Sequence, residues 1–420
     1  MNYDKLFYDW SKTGLSEIKS KAKVTLLDES LRDGIQSSFV KTPNLEEQKR
    51  LIQAMDEVGI EFLDIGFPGS GKAVFDTIAA LLAHVRQKSF RIVPTCAART
   101  HRGDIQPIVE LSEIFGSAIE PLVFVAASPI RQLVEEWTSN DILFLIEDSL
   151  RFSRSQGLNP TLVIEDATRS SKEILTAIYK LAMELDVHRI VLCDTVGFCT
   201  PDSTQRIVEW TFSYFAEHTY KMNLDWHGHN DKGLGVANSL RAFQSGCDRI
   251  HGTALGIGER AGNTAIDQLI VNLYLEGYGQ WSTSKLKQYI VKSAQAYDIT
   301  VPQNYPVFGD SVFSTASGIH ASAIIKAEKT GNPDLTNYVY SAVPATDFDR
   351  KNTIEINATS GKSNVKYFLE SKGLTFSDYH INEVLAYAKR IGRTLTSEEI
   401  LQMMSRFDRE KCLQNPSTVN

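Results

Sequence analysis

Across the first two thirds of the chain, short apolar runs rich in β-branched residues alternate with longer stretches whose apolar positions recur every three or four residues. The short runs are VTLLDES (24–30), FLDIGFP (62–68), RIVPTCA (91–97), LVFVAAS (122–128), TLVIEDA (161–167), RIVLCDT (189–195), LDWHGH (224–229) and RIHGTALGIG (249–258). Runs that are apolar at nearly every position predict strands covered on both faces, as in a parallel sheet clothed by helices. The stretches between them predict those helices. In NLEEQKRLIQAMDEVG, Leu45, Leu51, Ile52 and Met55 form one apolar stripe and Gly59 supplies the stop. TPDSTQRIVEWTFSYF opens with Thr200 as its N-cap and Pro201 at the first helical position. Eight strand–helix units over about 250 residues predict a (β/α)8 barrel in preference to an open doubly wound sheet.

Near residue 280 the alternation stops. Residues 281–300, 314–330, 361–372, 380–392 and 396–407 carry helical periodicity, and TIEINA predicts a short strand. The expected organisation is an N-terminal extension (1–23), a barrel (24–280), a helical linker subdomain (281–345) and a second small, mainly helical subdomain (346–420). The formal charge of −7, from 44 Lys+Arg against 51 Asp+Glu, and the lack of a basic tail argue against a nucleic-acid partner. No apolar run approaches the ~18–20 residues of a membrane span, and the N-terminus lacks the apolar core of a secretion signal. Five cysteines without a C-x-x-C pair read as reduced thiols, which points to a cytoplasmic protein.

Barrel enzymes keep their chemistry at the rim formed by the C-terminal strand ends. There this sequence places Arg32–Asp33, Glu165–Asp166, Asp194–Thr195, WHGHND (226–231) and the segment from Gly256 to Asn263. Residues two apart on a strand point the same way, so His227 and His229 converge on one point and suit a divalent metal. A single buried histidine is more simply a hydrogen-bonded core residue, which is the reading for His84, His188 and His218. Asp33 is the candidate anionic third ligand, provided the barrel closes and brings the first strand beside the last. Arg32 would be a fixed cation there or the partner of a rim carboxylate. GFPGSGKA (66–73) satisfies G-x-x-x-x-G-K, but Ala73 stands where a phosphate-binding loop needs Ser or Thr, so a tight strand-to-helix turn is expected. GIGERAG (256–262) lacks the dinucleotide spacing; its glycines are expected to let a loop approach a ligand, with Glu259, Arg260 and Asn263 aimed at the rim. His320, on a predicted helix outside the barrel, matters only if that helix folds over a barrel mouth, as do Tyr338 and Tyr340.

LRDGIQ, HGHNDKGLGVANSL, GTALGIGERAGN and SGIHASAIIK, in that order and over roughly residues 24–370, resemble the metal-dependent Claisen-condensing enzymes of the isopropylmalate/homocitrate/citramalate synthase family, to which 3-hydroxy-3-methylglutaryl-CoA lyase is related. The resemblance implies a (β/α)8 barrel with small C-terminal subdomains. It implies that Asp33, His227 and His229 ligate a divalent metal (zinc, manganese or magnesium), with Asn263 close by. It implies further that Arg32 and Glu165 complete an Asp-Arg-Glu set, that Thr195 binds the carboxylate of a 2-oxo acid, and that His320 is the general base with Tyr340 its partner. Two positions depart from the family pattern. Ile35 stands where LRDGEQ has Glu, and VIED replaces a serine-containing motif.

The reaction so implied joins acetyl-CoA to a 2-oxo acid. Arg32 would stabilise the enolate or alkoxide, while Glu165 or Glu259 would orient water or move protons during thioester hydrolysis. Gly66 in the GFP segment, Val163 and Leu122 would line the acceptor pocket, and 2-oxoisovalerate is the expected acceptor, which would yield 2-isopropylmalate. A base on a subdomain implies a site completed across a homodimer. Citramalate synthase (pyruvate as acceptor), homocitrate synthase, a C–C lyase, an iron oxygenase and a non-catalytic barrel are the competing readings. Relatives of this kind carry a further leucine-binding regulatory domain, which the sequence ending at Asn420 is expected to lack.

Overall fold

The computed structural model describes residues 24–414, with side chains through residue 407. The expected extension, 1–23, lies outside the described residues. Eight strands close into a barrel in chain order: β1 (Thr25–Asp28), β2 (Phe62–Asp64), β3 (Val93–Arg99), β4 (Glu120–Ala126), β5 (Thr161–Glu165), β6 (Arg189–Asp194), β7 (Asn223–Gly228) and β8 (Arg249–Gly252). All neighbours run parallel, and closure pairs the first strand with the last, Thr25 opposite Arg249 and Asp28 opposite Gly252. Helices between the strands bury one face each. Leu45–Val58 buries Leu51, Ile52 and Met55, starts at an Asn44–Glu47 capping box and ends on Gly59 at φ +99°. Thr200 caps Pro201–Glu217 through the Ser203 amide, as its sequence predicts.

Inside the barrel the strands follow their two-residue period. At the N-terminal end, Arg249 is 1% exposed: its Nε donates to Asp225 Oδ2 (2.6 Å), its terminal nitrogens reach both Glu120 oxygens (2.9 and 2.8 Å), and it lies over the Phe62 ring. Groups from three other strands thus satisfy one buried cation, without which its desolvation would cost several kcal/mol. Nothing in the local sequence announces this plug, because its members lie on β2, β4, β7 and β8.

The compact unit that contains the barrel runs through Thr300, so the division falls after helix Thr283–Tyr297 instead of at residue 280. The reason is packing. That helix lies against Leu45–Val58, and its tyrosines tie it to the end of β1: Tyr289 donates to Asp28 Oδ2 (2.5 Å) and Tyr297 to the Ser30 carbonyl (3.0 Å).

From Val301 onward the chain forms a second unit where two subdomains were expected. The strands β9 (Ser314–Thr315) and β10 (Thr353–Ile354) pair across the expected boundary. Ser360 Oγ and Asn364 Nδ2 both donate to the Ala316 carbonyl. Its helices, among them Gly318–Lys329, Lys362–Ser371 and Asp378–Ile391, surround or flank a core that includes Val365, Leu369, Ile381 and Val384. No helix among the described residues is long and apolar enough to cross a membrane.

Candidate metal centre

The end of β1 delivers Glu29, Arg32 and Asp33, and the 34–36 turn keeps Asp33 at the rim. The Arg32 guanidinium is held on three sides, by Asp64 Oδ2 (2.7 Å), Asp33 Oδ1 (2.8 Å) and Glu29 Oε1 (3.0 Å). β7 brings His227 and His229 to the same place. Asp33 Oδ2 stands 3.9 Å from His227 Nε2 and 3.7 Å from His229 Nε2. These separations are too long for hydrogen bonds and close to the ~3.5 Å between two donors that each lie about 2.1 Å from one ion. Asn263 completes the group: its amide nitrogen donates to Asp33 Oδ2 (2.7 Å), and its buried carbonyl oxygen has no hydrogen-bond partner. One hard carboxylate, two imidazoles and an orphaned amide oxygen fit a divalent cation.

A second trio, Glu29, His227 and His251, also has its donor atoms within reach of one another. Here Glu29 lies 2.6 Å from His227 Nδ1 and 3.0 Å from His251 Nδ1. Those are hydrogen-bond lengths, and they leave no room for an ion between the groups.

The electrostatics suit the first trio. Burial and then the neighbouring His227 bring His229 down to about 4, so its imidazole is neutral near pH 7 and has a lone pair to offer. Burial pushes the Asp33 carboxyl up, but Arg32 and His227 outweigh it and hold it below its ordinary value. Burial lifts Asp64 to about 6 against the pull of Arg32. His251 is opposed by burial yet raised to about 9 by Glu29 and Asp225, which face its two nitrogens.

Above this cluster opens a cavity of ≈ 220 Å³. Its walls are Ala97 from β3, Leu122 and Phe124 from β4, Val163 and Glu165 from β5, Val191 and Cys193 from β6, then Thr195 and Glu259 at the rim. Thr195 Oγ1 accepts the Asp166 amide hydrogen at 2.8 Å. Glu165 faces Arg131 at 3.8 Å, and burial raises its carboxyl in spite of that cation.

The structure thus brings together Arg32, Asp33, Leu122, Val163, Glu165, Thr195, His227, His229 and Glu259 around one cavity, with Asn263 bonded to Asp33. Gly66 does not line it. Its φ is +148°, and a Cβ there would stand 2.8 Å from Ile78 Cδ1, so glycine serves the turn after β2. The GIGERAG glycines also act differently from expectation. A Cβ at Gly262 would lie 1.9 Å from the Gly256 carbonyl oxygen, and one at Gly258 2.5 Å from Asn263 Nδ2. They let the loop fold onto itself and present Asn263. Arg260 binds Asp231 and the Thr195 carbonyl. GFPGSGKA forms a tight turn, with Lys72 on the surface paired to Asp76.

His320 and Tyr340 belong to the C-terminal unit, where their rings stack with centroids 4.0 Å apart. They border a separate, polar-lined cavity there, with Ser314, Thr336 and Asn352 among its walls. Tyr338 ends the helix Pro333–Tyr338. Sequence reasoning missed Glu29, Asp64 and His251. No local motif marks them, and their meaning comes from which strands adjoin.

A closed (β/α)8 barrel with a carboxylate and two imidazoles converging at its C-terminal rim places a candidate cation site where barrel enzymes keep their active sites. Residues 23–296 match the family model described as HMGL-like, and the chain belongs to that family. A 2-isopropylmalate synthase of Halalkalibacterium halodurans is 28% identical over 400 residues, covering 91% of this chain and 73% of the relative. A protein of Archaeoglobus fulgidus named for (R)-citramalate synthase is 28% identical over 381 residues, 88% of this chain and 72% of its own. A homocitrate synthase of Sulfurisphaera tokodaii is 27% identical over 369 residues, 87% and 76% of the two chains. Among solved structures, an HMG-CoA lyase of Bacillus subtilis superposes with a TM-score of 0.57 at 18% identity, over 68% of this chain and 98% of that one; the likeness is one of fold.

Proposed function

We propose that the protein condenses acetyl-CoA with 2-oxoisovalerate to give 2-isopropylmalate and CoA. Asp33, His227 and His229, with Asn263 beside them, hold the divalent cation (zinc, manganese or magnesium), which supplies Lewis-acid polarisation of the oxo group. Thr195 already accepts the Asp166 amide hydrogen, so its hydroxyl proton is free to donate to the substrate carboxylate. Arg32, fixed by three carboxylates, is a preorganised cation for the oxyanion that develops on condensation. His320, stacked on Tyr340, takes the methyl proton of acetyl-CoA. In a homodimer it would come from the C-terminal unit of the neighbouring chain. The resulting carbon nucleophile adds to C2, the new alkoxide takes up a proton, and water cleaves the thioester to release the CoA thiol. Glu165, with its raised carboxyl, and Glu259 are the groups at the cavity wall for that water and its protons.

The observation that carries this reading is an acid–imidazole–imidazole cluster beneath a wall of Ala97, Leu122, Phe124, Val163 and Val191. That wall receives an apolar branched chain and offers no cation to the distal carboxylate of 2-oxoglutarate. It also argues for the larger acceptor over pyruvate, although size alone separates the two by only ~1–3 kcal/mol per methylene.

Following free thiol with acetyl-CoA, each metal and a panel of 2-oxo acids tests the proposal. Release should require both metal and acceptor, with 2-oxoisovalerate at least ~10-fold better than pyruvate. A preference for pyruvate or 2-oxoglutarate would replace the acceptor, and no thiol with any acid would remove the condensation. His227→Ala should abolish turnover together with metal binding.

A further inference from the structure

His227 has two ring nitrogens, and only one can face the cation. Nδ1 lies 2.6 Å from Glu29 Oε2; a carboxylate accepts, so Nδ1 carries the hydrogen and the Nε2 lone pair points toward Asp33. His229 has no such support: its Nδ1 is buried with no hydrogen-bond partner among the described residues. Glu29 is itself fixed. Its other oxygen accepts from Arg32 and from His251 Nδ1, both at 3.0 Å. The far nitrogen of His251 faces Asp225 Oδ2 at 3.2 Å, and Arg249 holds that carboxylate from the barrel floor. Glu29, His251 and Asp225 are each at most 2% exposed. A turn of Glu29 away from His227 would therefore strip a carboxylate from buried His251 and from the largely enclosed Arg32.

We propose that Glu29 is a positioning residue that aims His227 at the cation and that His251 locks it in place; this rests on reading Asp33, His227 and His229 as the metal centre. The line Asp225–His251–Glu29–His227 is built by barrel closure. Leu27 pairs with His251 and Asp28 with Gly252, which sets Glu29 just past the end of the first strand, and β7 lies on the other side of β8. A carboxylate behind a ligating imidazole fixes its tautomer and raises its basicity, and losing such a partner typically weakens metal binding 10–100-fold.

Competition of the full chain with a chromophoric chelator for Zn²⁺, and the visible spectrum of the Co²⁺-loaded protein, test this. Glu29→Gln should raise the Zn²⁺ dissociation constant about 10–100-fold and shift the Co²⁺ bands, while circular dichroism stays that of the parent. His251→Gln should weaken binding in the same direction. Unchanged affinity and spectrum in Glu29→Gln would overturn the positioning role and leave the centre standing. A parent protein that binds neither ion would overturn both. A measurement on the parent alone guards against a variant that misfolds. Long-range ¹H–¹⁵N spectra of the apoprotein, with His227 assigned by its loss in His227→Gln, should show the Nδ1–H tautomer; the Nε2–H tautomer would refute the proposal.

Discussion

Asp28 ends β1 with no exposed surface and accepts from the Ser30 amide and the Tyr289 hydroxyl. Burial dominates those bonds and lifts its carboxyl from 3.8 to about 6. The folded chain therefore holds this proton more tightly than the unfolded one. Its contribution to stability is full below about pH 3.8 and is lost as the pH rises through about 6. Asp28→Asn removes the ionisation, so the melting temperature of the variant should gain on that of the parent between about pH 4 and pH 8. A difference that is flat across this range would contradict the assignment. At this scale the sequence was legible where chemistry repeats within one strand. The spacing of His227 and His229 alone puts both rings on one side of β7. It was silent on Glu29, Asp64 and His251, whose partners lie on other strands.

Among the elements, the loop after β8 brings Asn263 to Asp33 by a route other than the one expected of its glycines. The glycines of GIGERAG were expected to admit a ligand, and they instead admit the loop's own backbone. Gly262, at φ +86°, has the Gly256 carbonyl where a Cβ would go, whereas Gly157, at φ +78°, has nothing within 4 Å. Gly157→Ala should cost only the backbone strain of a left-handed alanine, about 1–2 kcal/mol. Gly262→Ala should cost clearly more in urea denaturation and should weaken metal binding, because Asn263 would move. Equal losses in the two variants would show that the loop yields to the clash. Helix boundaries were more legible, since caps such as Asn44, Gly59 and Thr200 act on neighbours in sequence.

For the whole molecule, the two compact units divide the proposed chemistry between them. The barrel carries the proposed metal ligands and the apolar wall, and the C-terminal unit carries His320 on Tyr340. His320→Ala should lower thiol release by roughly 10²–10⁴-fold, as loss of a general base does. Calorimetric binding of metal and of 2-oxoisovalerate should stay unchanged. Full turnover in the variant would move the base elsewhere, and lost metal binding would mean that the substitution disturbs the barrel. The expected boundaries at 280 and 345 differ from those observed because burial decides them. Tyr289 and Tyr297 tie one helix to β1, and β9–β10 pairing fuses the two expected subdomains.

The alternation of buried strands with amphipathic helices, the stop and start residues, the paired histidines and the early aspartate were all determined by the order of amino acids, since each depends on periods of two or 3.6 residues or on adjacent caps. The tertiary structure alone decided that β1 closes against β8, that Asp33 lies within 4 Å of both imidazoles, and that Glu29 backs one of them. Those distances join residues about two hundred positions apart. They are set by strand register and the packing of the barrel interior, which local pattern does not encode.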